Sequence, residues 1–155
     1  MQRIWIYTFS KELDTTQLTD MNQRCQYFVE HWTAHEVNLD ASYEIHKQRL
    51  LIFKVNEANY NASGCSIDKQ VRFVKEMEQL YAIELLNRLL VVYEHGDEVK
   101  VVKQSQIADL LASGTINEQT IIYNNTITNS TELDTNWKVP LQQTWLSKYL
   151  PTPKQ

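Results

Sequence analysis

Glycine is scarce in this chain: among 155 residues only Gly64, Gly96 and Gly114 occur. That shortage excludes a phosphate-cradling G-x-x-x-x-G-K-[ST] loop anywhere in the sequence, so neither nucleotide hydrolysis nor specific ATP binding is expected. Cysteine is scarcer still. Cys25 and Cys65 make no disulfide framework, and reduced thiols are the simpler expectation. Basic charge is not in excess: 15 Lys and Arg stand against 19 Asp and Glu, a formal net charge of −4, and no stretch concentrates the cations. Nucleic acid is therefore not expected as a partner, because phosphate binding needs a basic footprint. No apolar run approaches the length of a membrane span. The N-terminus, Met1-Gln2-Arg3-Ile4-Trp5-Ile6-Tyr7, enters strand-like alternation directly and does not read as an export signal, so a cytoplasmic location is the expectation. Metal-ligand spacing is also missing. His31 and His35 are four apart, but Trp32 stands where an H-E-x-x-H site needs its Glu. Neither a metal nor a cofactor is expected.

What is present is an ordinary globular composition, 43% hydrophobic and 22% charged. Its length suits one domain over residues 1–150, with a short tail at 151–155. Arg3 to Phe9 reads as a first strand. Asp14 and Gln17 form a capping-box pattern, with Leu13 and Leu18 as the matching staple, and Leu18, Met21, Cys25, Phe28 and Trp32 follow at helical spacing. Cys25 lies inside that stripe, as a core thiol does. Ser42 to Ile45 and Arg49 to Val55 read as a hairpin. Ile67, Val71, Val74, Met77 and Tyr81 then mark a second helix face. Leu89 to Tyr93 and Val99 to Val102 flank a turn at Gly96, and Ser105 and Gly114 bracket a short helix. Gln119 to Tyr123 reads as a last strand, and Pro140 opens a final helix with Leu141, Trp145 and Tyr149 on one face.

This order implies an α+β fold of two layers, an antiparallel sheet with helices on one face. Its first six elements follow the ferredoxin-like order β-α-β-β-α-β, and the later hairpin strand, helices and strand are expected to extend the same sheet. Leu51, Phe53 and Val91 are expected in its core, under Val71 and Val74.

Candidate chemistry gathers at Asn61-Ala62-Ser63-Gly64-Cys65-Ser66-Ile67-Asp68, where a strand feeds a helix through small residues. The first helical N–H groups there are unsatisfied and favour an anion or a thiolate. Cys65 is a candidate nucleophile, with His35 as a possible base. Asp68 opposes it, since a carboxylate within one turn disfavours the thiolate. The competing reading makes Cys65 a small packing residue that closes the turn beside Gly64. The stretch 124–136, with four Asn and four Thr among thirteen residues, is a long polar loop of the kind that carries function. Asn124 and Asn125 with Trp137 beside them are candidates to line a binding groove.

Several runs also resemble a known group of proteins: Trp32-Thr33-Ala34-His35, Arg49 to Glu57, Ser63 to Asp68 with Val71-Arg72-Phe73, and Asn136-Trp137-Lys138-Val139-Pro140 with Trp145. Together they resemble a family of short uncharacterised bacterial proteins often labelled "ABC transporter ATPase". The glycine content does not support that label. Family members look like W-x-A-H-G where Glu36 follows His35 here, a departure that argues against a left-handed residue at that point. The resemblance implies a shared fold and a shared site, without an activity. Two functions stay open. One is a small binding or interaction domain that holds a small molecule or a protein at Ser63, Gly64, Cys65, Ser66, Asn124, Asn125 and Trp137. The other is a thiol-dependent enzyme built on Cys65. Oligomeric state is open as well.

Overall fold

The computed structural model describes residues 1–152; the remaining residues of the expected tail, 153–155, lie outside that range. The first half comprises β1 (Gln2–Thr8), α1 (Thr15–His31), a small hairpin of β2 (Thr33–Ala34) and β3 (Val37–Asn38), β4 (Asp40–His46), β5 (Leu50–Asn56) and α2 (Gly64–Tyr81). The second half comprises β6 (Leu90–His95), β7 (Glu98–Lys103), α3 (Ile107–Ala112), β8 (Ile121–Tyr123), α4 (Ser130–Thr135) and β9 (Lys138–Pro140). The fold is α+β with antiparallel sheets.

Local chemistry explains where α1 begins. Asp14 Oδ1 accepts from the Gln17 amide at 2.8 Å, and Gln17 Oε1 accepts from the Asp14 amide at 3.1 Å. This box satisfies orphan donors that the helix cannot satisfy itself. Met21, Cys25 and Val29 then face the core. Trp32 ends the helix, fully packed, and its indole N–H donates to the Ser66 carbonyl at 2.8 Å. The end of α1 is thereby tied to the start of α2.

β1, β5 and β4 form one sheet in that order, β5 antiparallel to both neighbours. Its odd-numbered side chains, Trp5, Tyr7, Leu51, Phe53 and Val55, pack against α1 and α2. Its even-numbered ones, Ile4, Leu50 and Ile52, are also buried, against Val92, Val99 and Tyr123.

Here the structure corrects the expected two layers. The strands after α2 do not extend the first sheet. They form a second sheet, ordered β7-β6-β8-β9, that covers its far face. The physical reason is in β1 and β5, which are apolar on both faces and would leave Ile4, Leu50 and Ile52 in water if only helices covered them. Val91 therefore does not join Leu51 and Phe53. It points the other way, with Tyr93 and Ile122, onto Ile107 of α3 and onto Leu141 and Leu146. The stack is helices, sheet, sheet, and a last layer of short helical turns.

Two further expectations change. The region 124–136 is not bare loop, because Asn129 caps α4 by accepting from the Glu132 amide at 2.9 Å. The single final helix is instead two 3₁₀ turns, Leu141–Gln143 and Trp145–Tyr149. Thr144 breaks the run by taking an extended conformation and capping the second turn through its hydroxyl. Leu146 is consequently buried, and Trp145 is 45% exposed.

Candidate functional site

Right-handed crossover connections would carry the chain from β5 over α2 to the free edge of β1. The chain does not take that place. After Tyr81 it passes Leu85 to Arg88 alongside β1 and enters the second sheet at Leu90, leaving a cleft of about 920 Å³ at the β1 edge. Its floor is β1 itself. Its walls are 85–88 on one side and 125–129 on the other, with Trp145 at the rim.

The edge is closed at both ends by the chain. Near the start of β1, the Ile4 amide donates to the Thr128 carbonyl at 2.9 Å, and the Gln2 amide to Ser130 Oγ at 2.9 Å. Just beyond its end, the Ser10 amide donates to the Glu84 carbonyl at 3.0 Å. Between these clasps the edge is unpaired. Residues of an antiparallel strand alternate between bonding their neighbour and pointing away from it. The Phe9 amide bonds Arg49 on the β5 side while that of Ile4 points outward, so Ile6 and Thr8 also turn their backbone groups into the cleft. Among the described residues no acceptor meets either amide.

The cleft is two-faced. On the helix side stand Arg3, Tyr7 and Arg88. The Arg3 guanidinium lies over the Trp5 ring, 4.9 Å from its centroid. Neither Arg3 nor Arg88 makes an ion pair or side-chain hydrogen bond among the described residues. The Tyr7 hydroxyl donates to Gln70 Oε1 of α2, and burial pushes its pKa up to about 12, against a smaller downward pull from Arg88. Toward the second sheet stand Ile6, Ile127 and Tyr123. Asn125 links the two parts of that wall: its amide donates to Thr8 Oγ1 at 3.3 Å, and its carbonyl accepts from the Trp137 indole at 2.8 Å.

Of the residues singled out in the sequence, Asn125 lines this cleft. Trp137 supports it from behind, buried to 7% exposure. Asn124 holds the strand connection, its amide donating to the Trp137 carbonyl. The Ser63–Ser66 segment lies elsewhere and is not among the cleft's lining residues. There Ser63 caps α2 and Ser66 Oγ accepts from the Ser63 amide at 2.7 Å, so the helix start already satisfies part of its own donor set. Cys65 is exposed, and the fully buried residue of that turn is Ser66. The expected packing role for Cys65 is thus corrected: the thiol points out, and a serine closes the turn. His35 sits at the tip of the β2–β3 hairpin with φ +51°, and Asp68 is exposed on α2. No hydrogen bond joins Cys65, His35 and Asp68 among the described residues. Glu36, expected to argue against a left-handed residue, adopts φ +66° beside His35. A two-residue hairpin turn imposes that geometry whatever the side chain.

No group of three metal-ligating side chains occurs among the described residues, and no helix there is long and apolar enough to cross a membrane. No protein-family model matches the chain, and no curated protein or solved structure does either.

Sequence reasoning placed β1 but missed its open edge as a site. The available signal was Ile4-Trp5-Ile6-Tyr7, apolar on both faces of one strand, which requires a cover on each side.

Proposed function

We propose that the protein is a binding domain whose ligand site is the cleft beside β1. The observation that carries this reading is a concave site of the volume typical of ligand pockets, built on a strand with unpaired backbone donors. Polar groups converge there from three segments: Arg3 and the Ile6 and Thr8 amides from β1, Arg88 from the α2–β6 connection, and Asn125 from the second half. The order β1-β5-β4 with α1 and α2 on one face supports a finer reading of the first half as a ferredoxin-like unit that lacks its fourth strand, the cleft marking the missing position.

The alternative thiol chemistry at Cys65 draws less support, because an exposed thiol without a hydrogen-bonded base lacks the activating partner that nucleophilic catalysis uses.

The test is a fragment screen observed by two-dimensional amide NMR. Hits are expected to move the signals of Ile6, Thr8, Arg88, Asn125 and the Trp145 indole. Hits that cluster instead around Cys65 and His35, leaving the cleft signals still, overturn the assignment.

A further inference from the structure

We propose that the occupant of the cleft is an extended acidic segment of a partner protein, which adds itself as a strand to β1 between Ile4 and Thr8. This rests on the reading of the cleft as the binding site. Three observations favour a strand over a compact ligand. The free groups are backbone donors and acceptors in a row, at Ile6 and Thr8, and an extended peptide presents the matching row. The clasps at Thr128–Ser130 and at Glu84 limit the open length to Ile4–Thr8, about 13 Å at the rise of a strand. The cleft also opens a continuous path along that length, with Trp145 exposed at its rim as an aromatic anchor.

Charge and alternation fix the chemistry of the segment. Side chains of an added strand alternate between the two faces of the sheet. On the helix face they meet Arg3 and Arg88, two cations without a carboxylate partner in a chain of net charge −4. On the other face they meet Ile6 and Ile127. The fitting segment is therefore acidic at every second position and apolar between. Addition of such a strand would place a fourth member in the first sheet and cover the edge amides, a protection that open edges in other proteins obtain from charges or bulges.

The probe is a synthetic five-residue peptide alternating valine and glutamate, matched to the open length of Ile4–Thr8, with a valine–lysine peptide as control. Binding is followed by calorimetry and by amide hydrogen exchange of the intact protein. The glutamate peptide is expected to bind, to slow exchange at Ile6 and Thr8 selectively, and to weaken about fivefold on Arg88→Glu. The lysine peptide is expected not to bind. Ile6→Pro, which removes an outward amide while sparing the β1–β5 ladder, is expected to abolish binding; its fold is checked by the unchanged signals of Trp32 and Phe53. Equal binding of both peptides overturns the acidic specificity. Binding without protection at Ile6 and Thr8 overturns the strand pairing. If the glutamate peptide does not bind while small fragments still occupy the cleft, this inference fails and the cleft assignment stands. If fragments also leave the cleft empty, both fail.

Discussion

Gln70 carries the least comfortable polar group in the interior. The residue is fully buried, its Oε1 accepts from the Tyr7 hydroxyl, and its Nε2 has no partner among the described residues. An unsatisfied buried donor costs about 1–3 kcal/mol, whereas removing both members of a pair is nearly neutral. Tyr7→Phe is therefore expected to destabilise by about 1–2 kcal/mol, and Gln70→Leu in that background to restore stability in urea unfolding. A double variant less stable than Tyr7→Phe alone would contradict this account. His46 offers a pH-dependent counterpart. Its ring packs edge-on to Trp137 at 4.8 Å, and burial lowers its pKa, with Lys138 and Lys47 pushing the same way and Glu44 opposing. A histidine depressed in the folded state contributes stability above its unfolded pKa and loses it as pH falls through the folded value. Stability is thus expected to fall on acidification below about pH 6.5, and His46→Phe to flatten that part of the profile. A profile unchanged by the substitution would remove His46 from the explanation. The two thiols differ in the same terms. Cys25 is buried, its pKa pushed up to about 12 by burial, while Cys65 is exposed. Iodoacetamide is expected to modify Cys65 alone in the native protein and both after unfolding; native labelling at Cys25 would refute the packing of α1.

At the scale of elements, backbone conformation at the ends of α2 and α3 makes a matched pair. Ala82 terminates α2 at φ +52°, with its amide donating to the Glu78 carbonyl. A left-handed conformation costs an L-residue about 1–2 kcal/mol relative to glycine's freedom, partly offset by the larger unfolded-state entropy that glycine brings. Ala82→Gly is expected to stabilise by about 0.5–1 kcal/mol. Gly114 ends α3 at φ +76°, and an added Cβ would meet nothing within 4 Å. Gly114→Ala is therefore expected to destabilise by about 1 kcal/mol through the backbone alone. Shifts of the urea midpoint in these opposite senses, with equal slopes, check the pair. Two shifts of the same sign would show that something other than backbone conformation governs these caps.

At the scale of the molecule, the two sheets share one interface. Ile52 is fully buried between them, against Val92 and the second-sheet residues near Trp137. Truncating such a side chain costs about 2–5 kcal/mol, and both sheets lose cover together. Ile52→Ala is expected to lower the transition by that amount while keeping it a single step. Near-ultraviolet signals from Trp32, in the helix-side core, and Trp137, between the sheets, are expected to vanish at one denaturant concentration. Two separated transitions would mean that the halves fold independently.

The sequence by itself determined the elements whose signals are local. The Asp14–Gln17 box, the stripe of α1, the hairpin turn at Gly96 and the stop at Gly114 need only neighbouring residues, and each is present in the structure. The α+β class was legible for the same reason. Tertiary structure alone decided the layering and the cleft. Whether β6 joins the first sheet or founds a second depends on which surface its apolar faces cover, and that comparison involves residues as far apart in the chain as Ile4 and Trp137. The candidate site was half legible. Asn125 and Trp137 drew notice by type, but Ile6 and Thr8 bring only backbone groups to the cleft. Every residue except proline carries an amide N–H, so no residue letter marks one left without a partner; only the strand that fails to arrive beside β1 reveals it.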